Sequence, residues 1–441
     1  MSDETGVSRR QFLIGAGAAG AGGLVVGGVA GGLIGRNTAS TSTTGGTSGG
    51  TTTPYLIGSP YPTTGPYAAD GVEMTNGTQL AIDEINAAGG IAGRKIKRIV
   101  VDTVVNSPEG VTSAFNKLID QKVDAIIGGY VQVDAPTYNI VPAYGCPYLH
   151  GNTLQEGVDK VVADPNKYHM FFNVDSTEVW YGRGFPKFVA ALVASGKWKP
   201  PAKTLTAIQG DIVYSQTIAS ATTQAMQGVG WTISGLEKVT TPVSDWTPVI
   251  GHLASQKPAI VYNAHPAPAD QAAFMKQFVA SPTPSLVYLQ YGPSIPVFLQ
   301  LAGPAANGAI WSTVIGNLSD TVGKAFTSKY TSKFGKAPGL ANAPQGYDTV
   351  YHLAAAWGRV GNARDFPAVC NQLRTIRSRG VCGTINMNQA GQYTSAFPDA
   401  SADPSLAMPH LYLQVQNGQH KIIWPPPYAE ADFQTPPWIK T

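Results

Sequence analysis

A chain of 441 residues is longer than one ordinary domain and points to two or three. Its 43% apolar share supports substantial cores, while 30 Lys and Arg against 27 Asp and Glu give a net charge of +3, without the clustered basic face that nucleic acid requires. Charged residues make up 13%, about half the usual share, and Gly (50), Pro (33) and Tyr (19) are plentiful, the profile of a compact, loop-rich, extracytoplasmic protein.

The chain opens on an address. Ser8-Arg9-Arg10-Gln11-Phe12-Leu13 begins a Gly/Ala/Leu/Val run that lasts to Gly35. Over residues 1–36 this resembles a twin-arginine export signal. Gly15, Gly17 and Gly20 also match the dinucleotide fingerprint GxGxxG, but no strand precedes them and no βαβ unit surrounds them, so that reading is rejected. Residues 37–54 are almost entirely Ser, Thr and Gly, the composition of a flexible linker. The apolar run is long enough to cross a bilayer, and no small-x-small cleavage site follows it. A removed signal and an N-terminal membrane tether both stay open.

From Tyr55 short apolar strands and amphipathic helices alternate. Tyr55–Gly58 reads as a strand, residues 72–88 as a helix stopped by Gly89-Gly90, and Ile96–Val101 as the next strand. Ser107 caps a helix with Pro108 at its first position and Glu109 in its positive first turn, running to about Gln121. Strands are predicted at 123–127, 205–208, 259–262 and 286–289, with helices at 215–227, 246–256 and 267–280 between them. The alternation implies α/β architecture with mainly parallel sheets covered on both faces. There are too many units for one sheet. Two facing sheets place a ligand beyond the carboxyl ends of their strands, in the cleft between them. Cys370 and Cys382 flank a basic helical stretch, and a short-loop disulfide stands beside the alternative of two unrelated buried thiols. Cys146 reads as a lone core thiol, and three cysteines without CxxC or a nearby His argue against a metal site.

Here the residues resemble a known family. Ile57-Gly58, Gly65-Pro66, Gly71, Asn76-Gly77, the run Ala81–Asn86, Gly89-Gly90 and Gly93 are similar to the opening of the branched-chain amino acid (Leu/Ile/Val) binding proteins of ABC transporters. Gly145-Cys146-Pro147, Gly346-Tyr347-Asp348 and the stretch from Gly380 to Gly391 match later landmarks, so the similarity spans about 55–424. It implies a type I periplasmic binding protein fold: two Rossmann-like lobes joined by three hinge crossovers that close on ligand. On that pattern residues 55–172 and 311–385 form lobe 1, residues 173–310 and 386–423 form lobe 2, and 424–441 is a Pro/aromatic strap.

The resemblance also implies a site. Family members hold a ligand carboxylate with a Ser hydroxyl and backbone N–H groups after the strand that ends here at Gly128-Gly129. Tyr130 and Gln132 occupy that loop, with Gln132 where the Ser is expected. A second contact is expected from Asn152 or Thr153, and a cleft-lining tyrosine from Tyr214. Tyr291 stands where an acidic residue would meet an ammonium; Asp70 either compensates for that carboxylate or caps the helix at Gly71. A cleft of tyrosines, with Tyr61 or Trp180 as further candidates, suits amino-acid-, amide-, urea- or aromatic-acid-like solutes.

The implied partners are a small-molecule ligand and an ABC permease/ATPase membrane complex. No cofactor and no nucleic acid is implied. A ligand-sensing receptor ectodomain on the same fold is the alternative. An enzyme is the weakest reading, since GxSxG, HExxH and Walker motifs are lacking and the 7 His are scattered.

Overall fold

A computed structural model describes residues 53–104, 107–131 and 133–440. The stretch read as an export signal or tether, most of the linker and Gln132 lie outside the described residues.

The first sheet is built from β1 (Tyr55–Tyr61), β2 (Ile96–Asp102), β3 (Ala125–Gly129), β4 (Tyr148–Gly151) and β5 (Phe171–Asn173). They lie in the order β2-β1-β3-β4-β5, every neighbour parallel. β3 and β4 are buried at every position, which is why they read as continuous apolar runs. Ser107 caps the helix Pro108–Asp120 as its spacing predicts, accepting from the Gly110 N–H at 3.0 Å. The helix Ala68–Ala87 packs against the helix Asn342–Val360, returned to this lobe from late in the chain. Gly77 explains one landmark: a Cβ there would collide with the Ala343 carbonyl, so glycine sets how close the two helices lie.

The second sheet takes β6 (Thr204–Gln209), β7 (Thr232–Lys238), β8 (Ile260–Asn263), β9 (Leu286–Gln290) and β10 (Ile310–Thr313). Two short pairs follow: β11 (Arg377–Arg379) with β12 (Thr384–Asn386), and β13 (Ala396–Phe397) with β14 (Met408–Pro409). β15 (Leu411–Gln416) and β16 (Gln419–Trp424) then complete the larger sheet, in the order β16-β15-β10-β9-β8-β6-β7. Only β15 is reversed, antiparallel to both its neighbours β10 and β16; every other pair in the sheet is parallel. The fold is therefore two α/β lobes with mainly parallel sheets.

The chain leaves the first sheet after Asn173 and stays in the second until Thr313, past the Ile310–Trp311 position expected for that crossover. Residues 425–440 carry no helix or strand and lie along the larger sheet. Gln414 donates to the Gln434 carbonyl at 2.7 Å, and the Trp438 indole to that of Ser285 at 2.9 Å.

The disulfide between Cys370 and Cys382 is not formed; both are free and buried, as is Cys146. Cys370 sits in the helix Phe366–Thr375, whereas the Cys382 thiol donates to the Ile315 carbonyl at 3.3 Å. Burial pushes the Cys370 thiol up to about 12, which makes it an inert core group. The basic stretch between them does not continue as helix either: it turns at Ile376 into β11.

Candidate functional site

Three strands aim their ends at the space between the lobes. Tyr130 directly follows β3, Thr153 comes two residues after β4, and Tyr291 directly follows β9. All three hold left-handed backbone, at φ 60°, 58° and 62°. Such a conformation costs on the order of 1–3 kcal/mol in a non-glycine residue and persists only where the surroundings impose it. Glycine would relieve the strain but would remove the side chain facing the cleft.

These residues, with Gly151, Asn152, Tyr181, Ile212, Tyr214, Pro266, Ile315 and Asn342, line one narrow cavity. Its walls come from both lobes. Tyr130 lies in a row between Tyr67 and Tyr291, its ring tilted against each, with centroids 5.2 and 5.6 Å apart. Tyr214 enters from the first turn of the helix Val213–Gly228, its ring edge-on to Tyr181 at 6.4 Å. Its hydroxyl accepts from Gln290 Nε2 at 2.9 Å.

Asp70 stands behind this wall. It lies inside the helix Ala68–Ala87 rather than before it, and its carboxylate turns across the cleft instead of capping the helix at Gly71. The Tyr291 hydroxyl donates to Asp70 Oδ1, and Asn342 Nδ2 donates to the same oxygen at 2.8 Å and to the Tyr291 oxygen at 2.6 Å. Asp70 belongs to none of the ion pairs among the described residues. Burial pushes its carboxyl up to about 7, against the opposing pull of Tyr291 and Asn342.

Asn152 lines the cavity but its amide is engaged elsewhere. Oδ1 accepts from the Val131 N–H at 2.9 Å, while Nδ2 donates to Asp134 Oδ1 and to the Tyr148 hydroxyl, each at 3.0 Å. It holds the loop after β3 in place, while the Thr153 hydroxyl donates to the Asn152 carbonyl at 2.7 Å and so can meet a ligand only as an acceptor. Tyr61 is buried in the first lobe at the end of β1, away from the cavity lining. Trp180 is half-buried beside Arg183, and its neighbour Tyr181 takes the place in the wall.

Sequence reasoning passed over Tyr181 and Asn342. Asn342 lies four residues before the Gly346-Tyr347-Asp348 landmark, the one signal that could have found it. Among the described residues no group of three or more His, Cys, Asp or Glu side chains could hold a metal ion. His150, fully buried, is held down to about 3 by its surroundings and is a neutral core residue.

Comparison with known proteins places this geometry. A family model described as periplasmic binding protein matches residues 54–397. A protein from Silicibacter pomeroyi, solved as a candidate branched-chain amino acid ABC transporter, is 36% identical with a TM-score of 0.83, over 88% of this chain and 100% of that one. A Leu/Ile/Val-binding protein from Rhizobium johnstonii is 25% identical over 77% of this chain and 89% of its own length. A solute-binding protein of an ABC transporter from R. palustris, in complex with benzoate, shares the fold at 18% identity and a TM-score of 0.68, over 84% of this chain and 96% of that one.

Proposed function

The chain belongs to the periplasmic binding protein family, and from that premise we propose that it captures a small organic solute between its lobes and delivers it to an ABC permease. One observation carries the ligand class: Asp70 is a buried carboxylate without a cation, connected to the cavity wall through Tyr291 and Asn342. Because Tyr291 gives its proton to Asp70 and accepts from Asn342, its oxygen has one lone pair left to offer the cavity. That end suits an ammonium or amide N–H group, and the row of tyrosine rings suits a flat or apolar body. An amino-acid- or amide-like solute meets both requirements. The Leu/Ile/Val-binding relative makes leucine the first probe.

The cycle follows from this arrangement. Solute enters between open lobes, bridges Tyr291 on one lobe and Thr153 on the other, and stabilises the closed form by binding it alone. The strained backbone at Tyr130, Thr153 and Tyr291 keeps these contacts in place before the ligand arrives. The twin-arginine address and the family both support work outside the cytoplasm, and N-terminal sequencing of the mature protein distinguishes a removed signal from a tether.

A thermal-shift screen of leucine, benzamide, urea and benzoate, followed by calorimetry, tests the ligand class. Leucine or benzamide is expected to raise the melting temperature, and Asp70→Asn to weaken leucine at least tenfold while leaving benzamide within about threefold. Benzoate binding more tightly than both, and indifferent to Asp70→Asn, would overturn it.

A further inference from the structure

The Tyr214 hydroxyl is the last member of a buried chain of hydrogen bonds that begins deep in the second lobe. His410 Nδ1 lies 2.5 Å from Asp399 Oδ2, and His410 Nε2 lies 2.9 Å from Ser312 Oγ. Ser312 Oγ is 2.6 Å from the Tyr288 hydroxyl, which donates to Gln290 Oε1, also at 2.6 Å. Gln290 Nε2 then donates to Tyr214 at 2.9 Å. No side chain in the series is more than 7% exposed. Gly184 makes the room: a Cβ there would occupy the place of the Asp399 carboxylate.

Acid, histidine and serine in this order are the residue types of a hydrolase relay. Here, however, Ser312 is fully buried with its oxygen against Tyr288, where no substrate can reach it. What such a chain can deliver is a direction for its terminal proton.

The Gln290 amide sets that direction, with its oxygen toward Tyr288 and its nitrogen toward Tyr214. Serine and tyrosine each have one to give, and an amide oxygen has none. The 2.6 Å contact of Tyr288 with Gln290 Oε1 therefore uses the tyrosine's proton. Ser312 must then donate to Tyr288, and His410 Nε2 must carry a proton for Ser312. The contact with Asp399 holds a second proton, so the pair has two between them and no net charge. A dry interior favours that count, because Asp399 Oδ1 is buried without a partner and an extra negative charge there would be costly. The Tyr181 and Tyr412 rings flank His410 at 5.5 and 4.6 Å, and Lys187 reaches only the Pro398 and Asp399 carbonyls.

At the far end Tyr214 already accepts from Gln290. Its own proton is left for the neighbouring Tyr181 oxygen or for an acceptor in the cavity. With one proton fewer on the pair, every bond reverses: Ser312 gives to Nε2, Tyr288 to Ser312, and the Gln290 amide turns over. Tyr214 would then give its proton inward and show the cavity only lone pairs.

We propose that His410, Asp399 and Ser312 are positioning residues that make Tyr214 a hydrogen-bond donor, and so select solutes with an acceptor oxygen at that end of the cavity. This rests on the reading of Tyr214 as a ligand contact, and it adds to the N–H group expected at Tyr291 a second polar requirement on the same solute.

Two measurements on the full chain test it. Nitrogen NMR of the ligand-free protein, assigned with His410→Asn, should find a proton on His410 Nε2; a bare Nε2 overturns the proposal. Calorimetry with leucine should find Ser312→Ala about three- to tenfold weaker than wild type and Tyr214→Phe weaker by a similar factor. The double variant should be no weaker than Tyr214→Phe alone, because both changes act through one chain of bonds. Losses that simply add would mean that Ser312 acts only through packing, and would overturn it as well. If wild type binds neither leucine nor benzamide, the ligand class proposed above fails, and the state of Nε2 still decides the relay.

Discussion

The two lobes bury their acids differently. Near the cleft, the first lobe hides Asp70 and Asp134 with neutral partners only: Tyr291 and Asn342 for one, Asn152 for the other. Asp134 Oδ2, the Tyr138 hydroxyl and His150 Nδ1 are buried without a partner. Deep in the second lobe two acids each meet a histidine, Asp270 with His265 at 2.7 Å and Asp399 with His410, while Asp175 and Glu178 beside the crossover have neutral partners, the Gln345 amide and the Gln155 N–H. Both lobes keep buried polar atoms without a partner, His265 Nδ1 and Asp399 Oδ1 among them, so the lobes differ in the partner each gives its acid and not in completeness. An acid held at the cleft by neutral partners alone leaves a ligand's N–H group something to add on closure.

The contrast can be broken at its strongest point. Asp270→Ala leaves the His265 side chain buried without its partner and is expected to cost about 3 kcal/mol in denaturant unfolding. A loss below about 1 kcal/mol would show that the second lobe does not depend on its pairs.

Next in size is the cavity wall. Tyr214→Ala should weaken the solute at least tenfold, about 1.4 kcal/mol, with the far-ultraviolet circular dichroism unchanged. Unaltered affinity in calorimetry would remove Tyr214 from the site.

The acids themselves set a pH dependence with a definite sign. Burial raises Asp134 and Glu178 to about 7 and Asp175 well above its ordinary value. Acids that are stronger proton binders in the folded state contribute stability that is present below about pH 4 and is lost as pH rises through about 7. These acids pull the melting temperature of the ligand-free protein down between pH 5 and pH 8, against the smaller opposite slope of His150, His352 and His420, whose burial holds them at about 3 to 4 and favours folding as pH rises. Asp134→Asn should raise the melting temperature at pH 8 by clearly more than at pH 5. A melting temperature that climbs over that interval would reverse the picture.

The smallest effect concerns the thiols. Three free cysteines should titrate after denaturation without reductant, and reductant should leave the melting temperature within about a degree. A shift of several degrees would restore the bond between Cys370 and Cys382.

Much of the fold was legible because buried parallel strands such as Ala125–Gly129 and Leu286–Gln290 are short apolar runs between helical repeats. β7 was not, because it lies at the sheet edge and all seven of its residues are partly or fully exposed, so nothing apolar alternates along it. The helix Asn342–Val360 hid for the opposite reason: it is buried over most of its surface, from Asn342 to Leu353 without a break, and so lacks a polar face. Tyr214 and Tyr291 could be placed because they follow strand ends. Tyr181 and Asn342 sit on helices whose packing brings them to the wall from distant parts of the chain. No local pattern reports that Tyr130 adopts a glycine-like backbone, or that Ser312 meets a histidine 98 residues later.

The late position of β15 has a consequence for synthesis. Ile310 pairs with Gln414 and Thr313 with Leu411, so this edge of β10 waits about a hundred residues for its neighbour. Until then a fully buried strand presents an unpaired row of backbone groups, the kind of edge on which chains mispair. The second lobe can close its sheet only after the first lobe has taken back the helices at 321–375, so a nascent chain exposes this edge for about a hundred residues of synthesis. A chaperone that shields β10 during that interval would raise the yield of folded protein without touching the mature molecule.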